Sequence, residues 1–242
     1  MTIDEARRNW TDLGNEDPMW AILSFDGKRG GKWSPEEFFA TGRKQIEEAL
    51  RTIEETGMTV NHGNALDFGC GLGRLSQALA KHFEHVDGVD VSESMIQQAP
   101  KFNQFGDRVQ YHLNVRTDLS LFPRGKFDFI FSSIVLQHIP TKHQLLYIAE
   151  FMDLLAPGGV AYFQTVRTHG LRAFVPNWFV ESYRKFKNSG KTFIPMYGVE
   201  SQDVERIVRK HGCHLHKRVG ADFGEWSGKF ASETYLIVKR KS

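Results

Sequence analysis

Apolar positions change rhythm near Gly63. Beyond it, short apolar runs alternate with segments whose apolar residues recur every three or four positions, the pattern of βαβ units around a parallel sheet. Runs 65–68, 85–90, 109–114, 127–134 and 160–166 read as strands. Leu75, Ala78, Leu79 and Phe83 fall at helical spacing, as do Leu145, Ile148, Met152 and Leu155, and then Val204, Ile207 and Val208. Ser92 predicts an N-cap with Glu93 in the favoured first turn. Thr141-Lys142-His143-Gln144 predicts a capping box, and Ala156-Pro157-Gly158-Gly159 stops the helix that follows it. Gly212 closes the last helix. Runs 214–219 and 234–239 follow with no helical pattern between them, which predicts an antiparallel hairpin.

The first 60 residues behave differently. Trp10, Trp20, Trp33, Phe25, Phe38 and Phe39 stand in a polar context and need a surface to cover. Phe38-Phe39-Ala40-Thr41-Gly42-Arg43 leads into a helix running towards Ile53, with Ile46, Leu50 and Ile53 along the face that docks on the sheet. With no repeat and no low-complexity segment, the 242 residues read as one domain: an arm at 1–60, a core at 61–166, an insertion at 167–198, and a last helix with a strand pair at 199–242.

Composition narrows the class. No apolar run approaches the roughly 18 residues of a membrane span, which predicts a soluble chain. The polar start with Asp4 and Glu5 lacks the apolar core of a secretory signal. Only two cysteines occur, and Cys70 lies in a glycine turn where a disulfide would obstruct a ligand, so a reduced, cytoplasmic compartment is expected. A net charge of +2 implies no nucleic acid by itself. None of the ten histidines forms a metal spacing with nearby carboxylates or cysteines, so no metal is expected.

The chemistry concentrates at Asp67-Phe68-Gly69-Cys70-Gly71-Leu72-Gly73-Arg74, where glycines at alternate positions join a strand to a helix and let a ligand approach the backbone. Alone, this turn leaves a structural role and a dehydrogenase open. Asp90 ends the second strand 17 positions beyond Gly73, near the spacing of about 20 at which dinucleotide folds place a ribose-binding carboxylate. The G-x-G-x-G spacing and the acidic Asp67, expected at the mouth of the loop, favour a sulfonium cofactor, because a pyrophosphate would be repelled there and an α-ammonium attracted. Asp67, Asp90, Asn114 and residues 132–138 all fall near strand carboxyl ends, where open α/β sheets bind ligands.

With Val89-Asp90-Val91-Ser92, Phe127-Asp128-Phe129-Ile130-Phe131-Ser132 and Leu154-Leu155-Ala156-Pro157-Gly158-Gly159, the chain resembles the class I S-adenosylmethionine-dependent methyltransferases of the small-molecule type 11 kind. The likeness covers 64–167 and, more loosely, 195–239. It implies an α/β, Rossmann-like, seven-stranded, mostly parallel sheet with the last strand antiparallel and helices on both faces. It implies S-adenosylmethionine as cofactor, with its methionine over Gly69, Cys70, Gly71 and Gly73, its ribose on Asp90 and its adenine beside Val91 and Asn114. Asp67, Arg74, Met95, Val115 and Ser132 complete the implied cofactor set. The family often has an Asp where this chain has Asn114, and Asp118 follows four residues later. In such enzymes the arm commonly closes over the cofactor, which implies Phe39 and Arg43 at the ligand with Arg43 on its carboxylate; simple packing accounts for the same residues equally well.

Methyl transfer from a sulfonium is an in-line displacement in which alignment alone is worth roughly 7–11 kcal/mol. A hydroxyl acceptor must also lose a proton, for which His138 is the candidate base, beside Gln137 and held out of helix by Pro140. A loop histidine that only shapes the pocket is the competing reading. Arg167 and His169 are further candidates for touching substrate. The insertion 167–198 holds six basic residues and one acid, interleaved with Phe174, Trp178, Phe179, Tyr183 and Phe186. Such a segment suits a lid over a small acceptor, anionic or sugar-containing, or single-stranded RNA. The lid is favoured, for lack of a nucleic-acid motif. The expected function is methylation of oxygen, or secondarily nitrogen, of a small metabolite or sugar by a monomer or homodimer; an RNA methyltransferase and a non-catalytic cofactor-binding protein are the alternatives.

Overall fold

The computed structural model describes residues 2–168, 196–221 and 230–241. His169 and most of the 167–198 insertion, with its lid and RNA readings, lie outside them. β1 (Asn64–Phe68) stands mid-sheet, parallel to β2 (His85–Asp90) on one side and β4 (Phe127–Ser132) on the other. β3 (Val109–Leu113) extends the sheet beyond β2, and β5 (Leu155–Thr168) runs parallel to β4. β7 (Phe230–Lys239) enters antiparallel between β5 and β6 (Cys213–Ala221). The order β3-β2-β1-β4-β5-β7-β6 reverses between β1 and β4, which opens a ligand crevice at their carboxyl ends. The seven-stranded sheet and the terminal antiparallel pair agree with the sequence reading.

Strand alternation divides the core. Leu66 and Phe68 face a cluster built with α6 (Thr141–Leu154) and α7 (Ser201–Lys210), whereas Ala65 faces the cluster of α3 (Pro35–Glu54) and α4 (Arg74–Leu79). On the second face Phe83 stacks on Phe129 at 5.2 Å and Phe131 on Tyr162 at 5.6 Å. Each such pair adds about 0.5–1.5 kcal/mol to the area it buries. A third cluster joins α1 (Ile3–Glu16) and α2 (Pro18–Ile22) to Trp33, Phe38, Leu72 and Met95; Trp10, Trp20, Trp33, Phe38 and Phe39 belong to it or pack against it, whereas Phe25 stays exposed. No helix among the described residues is long and apolar enough to cross a membrane.

Three local expectations need correction. α3 begins at Pro35, earlier than its apolar face suggests, because Ser34 and Glu37 form a reciprocal capping box around a proline suited to the first turn. α6 has no capping box: its N-cap is Pro140, one residue before Thr141, and proline has neither a side-chain oxygen to accept nor an N–H to donate. Gln144 instead donates to the carbonyls of Ile139 and Tyr197, and Thr141 to that of Gly198, tying α6 to the chain entering α7. The Pro157-Gly158-Gly159 turn lies inside β5, where pairing jumps from Phe127 with Leu155 to Phe129 with Val160; the extra residues bulge out, with Gly158 at φ 79°.

Candidate active site

β1 and α4 are joined by a turn whose Gly69, Gly71 and Gly73 hold φ of 79°, 52° and 81°, conformations that side chains resist. Its amides at Gly69 and Cys70 donate to the Val89 carbonyl, which anchors it to β2. Val135 and Ile22 pack directly on the α-carbons of Gly69 and Gly71.

Asp67 lies beneath this turn rather than at its mouth. Alternation along β1 places it with Ala65 on the face that α4 covers, and it is fully buried. One carboxylate oxygen accepts from Ser76 Oγ at 2.6 Å and the other has no partner, so burial pushes its pKa up to about 6. Arg74 turns towards α3, donating to Thr41 Oγ1 at 3.2 Å and Gln45 Oε1 at 2.9 Å, and burial lowers its pKa to about 10. Gly42 is required at that crossing, since a Cβ there would collide with the Arg74 carbonyl. The Thr41-Gly42 segment and Arg74 thus form one clamp on the loop.

Asp90 closes β2 facing the turn. Its Oδ2 accepts from the Gly71 amide and its Oδ1 from the Ser92 amide, both at 2.8 Å, and burial raises its pKa. A carboxylate has lone pairs for further donors beyond these two. Val91 follows it, and Met95 is buried under α1 at the start of α5 (Glu93–Phe102), whose N-cap Ser92 accepts from Met95 N as expected. Ser92 Oγ also contacts the Trp10 carbonyl and Ser94 Oγ donates to that of Thr11, which lays the arm beside Asp90. The Asn114 side chain shapes the loop at the end of β3: its amide nitrogen donates to the Asp118 carbonyl and its oxygen accepts from Arg116 N. Neighbouring Val115 is exposed.

On the other side of the crevice Ser132 is buried, donating to the Phe68 carbonyl. Ile134, with φ 62°, is the one non-glycine residue at positive φ among the described residues, an outlier for a β-branched side chain. Gln164 on β5 accepts from its amide at 3.2 Å and from Ser133 Oγ at 3.3 Å, and Ser133 in turn accepts from Gln45 at 2.7 Å. An amide and hydroxyl chain therefore runs from Arg74 through Gln45 and Ser133 to Gln164. Gln45 and Gln164 escaped the sequence reading, and Ser133, Ile134 and Val135 were marked only as part of 132–138, because no local pattern marks partners 30 to 90 positions apart.

His138 closes a 3₁₀ turn (Leu136–His138), its ring 5.4 Å from that of Trp10 and its Nε2 3.3 Å from the Gln137 amide nitrogen. Gln137 is buried, and its carbonyl holds Tyr197 N at 2.8 Å. Arg167 lies 3.9 Å from Glu233. Phe39 and Arg43 line a cavity between α3, α4 and the end of α5 together with Arg74, and Phe39 also packs on the cluster that holds Leu72 of the turn.

A strand-end carboxylate hydrogen-bonded to a glycine turn at the sheet's switch point is matched by comparison: residues 65–159 fit the methyltransferase domain family. The match to that family spans 95 of the 242 residues, the strands and turns that build the crevice. The ubiquinone biosynthesis O-methyltransferase of Coxiella burnetii is 35% identical over 120 residues, 48% of this chain and 49% of that protein. Its namesake from Hydrogenovibrio crunogenus is 25% identical over 194 residues, 76% and 78% of the two chains. The first of these matches spans about half the length of the curated relative. Magnesium protoporphyrin IX methyltransferase from Synechocystis, solved with S-adenosylhomocysteine, superposes with a TM-score of 0.63 at 18% identity, covering 98% of this chain and 99% of that one, a likeness of fold.

Proposed function

We propose that this methyltransferase transfers the methyl group of S-adenosylmethionine to an oxygen of a small metabolite and releases S-adenosylhomocysteine. The observation that carries the reading is Asp90, presented at the switch point with an oxygen on the Gly71 amide and lone pairs to spare for two ribose hydroxyls. Asp67, buried below the turn with one oxygen on Ser76, would support the loop from beneath. Gly69, Cys70, Gly71 and Gly73 would hold the methionyl part, with Arg74 fixing their conformation, and Val91, Met95 and Val115 would flank the adenine. The bound cofactor supplies an electrophilic methyl group, so the chain's own task is to align the acceptor and move one proton.

His138 is assigned the proton, which the unprotonated nitrogen of its neutral ring would take, and Gln137 is assigned its positioning, with its amide nitrogen 3.3 Å from Nε2. Oxygen is preferred over nitrogen because of the relatives' names, and an anionic or sugar-bearing acceptor because of the basic composition of 167–198, to which we assign the lid, along with Arg167 and His169 as substrate contacts. We read 1–242 as a single methyltransferase domain with 1–60 as its arm, and place it in the cytoplasm on its two buried free thiols. A screen of ubiquinone precursors and sugar hydroxyls with methyl-labelled S-adenosylmethionine tests this. Label in a methyl ether supports it, and cofactor binding without transfer to any acceptor contradicts it.

A further inference from the structure

A second ligand site lies on the flank of the domain. A cavity of about 570 Å³ opens between α3, α4 and the end of α5, and none of its lining residues belongs to the 69–73 turn, to Asp90 or to the 132–138 segment. Its volume is that of an ordinary small-molecule site. Four cations, Arg43, Arg74, Lys81 and Lys101, face one carboxylate, Glu36. No ion pair is formed by Arg43, Lys81 or Lys101 among the described residues, although the surface elsewhere pairs its charges, as in Lys28 with Glu37.

The floor of the cavity points the same way. Gln77 is 6% exposed; its carbonyl oxygen accepts from the Gln104 amide while its amide nitrogen has no partner. Nε of Arg74, 4% exposed, is likewise without a partner. A buried donor left unpaired costs about 1–3 kcal/mol, a cost that an acceptor in the cavity would relieve once the Gln77 or Arg74 side chain turns towards it. Two unpaired donors under three uncompensated cations call for an acceptor-only group, and phosphate oxygens supply it. Phe39, Phe102 and Phe105 line the same space and suit a flat apolar body next to the charge.

We infer that this cavity binds a phosphorylated organic anion of nucleotide size, separately from the cofactor crevice. Inorganic pyrophosphate and uridine diphosphate are the probes, titrated into the full chain by calorimetry with and without saturating S-adenosylhomocysteine, so that a chain which fails to bind the latter still reports on the cavity. Saturable one-to-one binding of uridine diphosphate, tighter than that of pyrophosphate, is expected in both conditions. It should weaken about tenfold or more in Lys81→Glu/Lys101→Glu, which alters exposed residues, and in Gln77→Glu, which keeps the acceptor for Gln104 but turns the free donor into a charge that repels phosphate. Binding of S-adenosylhomocysteine should be the same in these variants as in the parent. Absence of saturable binding at millimolar probe, binding abolished by S-adenosylhomocysteine, or equal affinity in the parent and the charge-reversed variant overturns the inference.

Discussion

Arg74 and Gln45 meet at 2.9 Å, and this contact makes the helix of the arm part of the cofactor loop. The guanidinium that follows the last loop glycine is buried, so its donors must be met by protein, and α3 meets them with Thr41 and Gln45. Gln45 then passes the constraint to Ser133 at the exit of β4. Loop, arm helix and the strand exit that carries His138 are thus fixed by one hydrogen-bonded chain.

Gly42→Ala tests the clamp. A methyl group at this crossing meets the Arg74 carbonyl, backbone that cannot swing aside. A loss of about 1–3 kcal/mol is expected in urea unfolding, with weaker binding of S-adenosylhomocysteine. Unchanged stability would show that α3 is free to shift away from the loop.

Asp67 gives the domain a pH signature. Its pKa is about 6 when folded against an ordinary 3.8, so the folded chain holds the proton more tightly than the unfolded one. Stability contributed by the protonated form is present below pH 4 and is lost as pH rises through 6, on the order of 2–3 kcal/mol. Asp67→Asn removes the titration. The stability difference between parent and variant should therefore change across pH 4–6 in favour of the variant; parallel pH curves would mean that Asp67 is not held in the dry environment described.

The sheet was legible from the chain because apolar runs bounded by turn residues mark its central strands, as at 129–131 and 160–163, and the glycine turn and Asp90 were legible because their spacing is local. What the sequence could not show was direction and distance. It marked Asp67 as acidic and near the turn, but only the pleat of β1 shows that the side chain goes under the loop. The resemblance implied Phe39 and Arg43 at the cofactor, with simple packing as the alternative; in the structure both line the flank cavity. Ile134 at φ 62° carries no sequence signal, since its conformation is imposed by Gln164 thirty positions later.

Asp90→Ala removes both the proposed ribose acceptor and the partner of the Gly71 amide. Affinity for S-adenosylhomocysteine should fall about tenfold to a hundredfold, as expected for loss of charge-assisted hydrogen bonds, while the far-ultraviolet circular dichroism stays that of the parent. Retained affinity would move the ribose elsewhere.

His138→Ala separates a base from a wall. With an oxygen acceptor found by the label screen, turnover should drop by about two to four decades while S-adenosylhomocysteine affinity changes little. Near-normal turnover would leave His138 as a ring that packs on Trp10.

The account stands or falls on the ligand of the 69–73 turn. Calorimetric titration of the chain with S-adenosylhomocysteine, and in parallel with a nicotinamide dinucleotide, decides it. One-to-one binding of S-adenosylhomocysteine in the micromolar range or tighter, lost in Asp90→Ala and absent for the dinucleotide, is the result expected; tight binding of the dinucleotide with no heat from S-adenosylhomocysteine would contradict it.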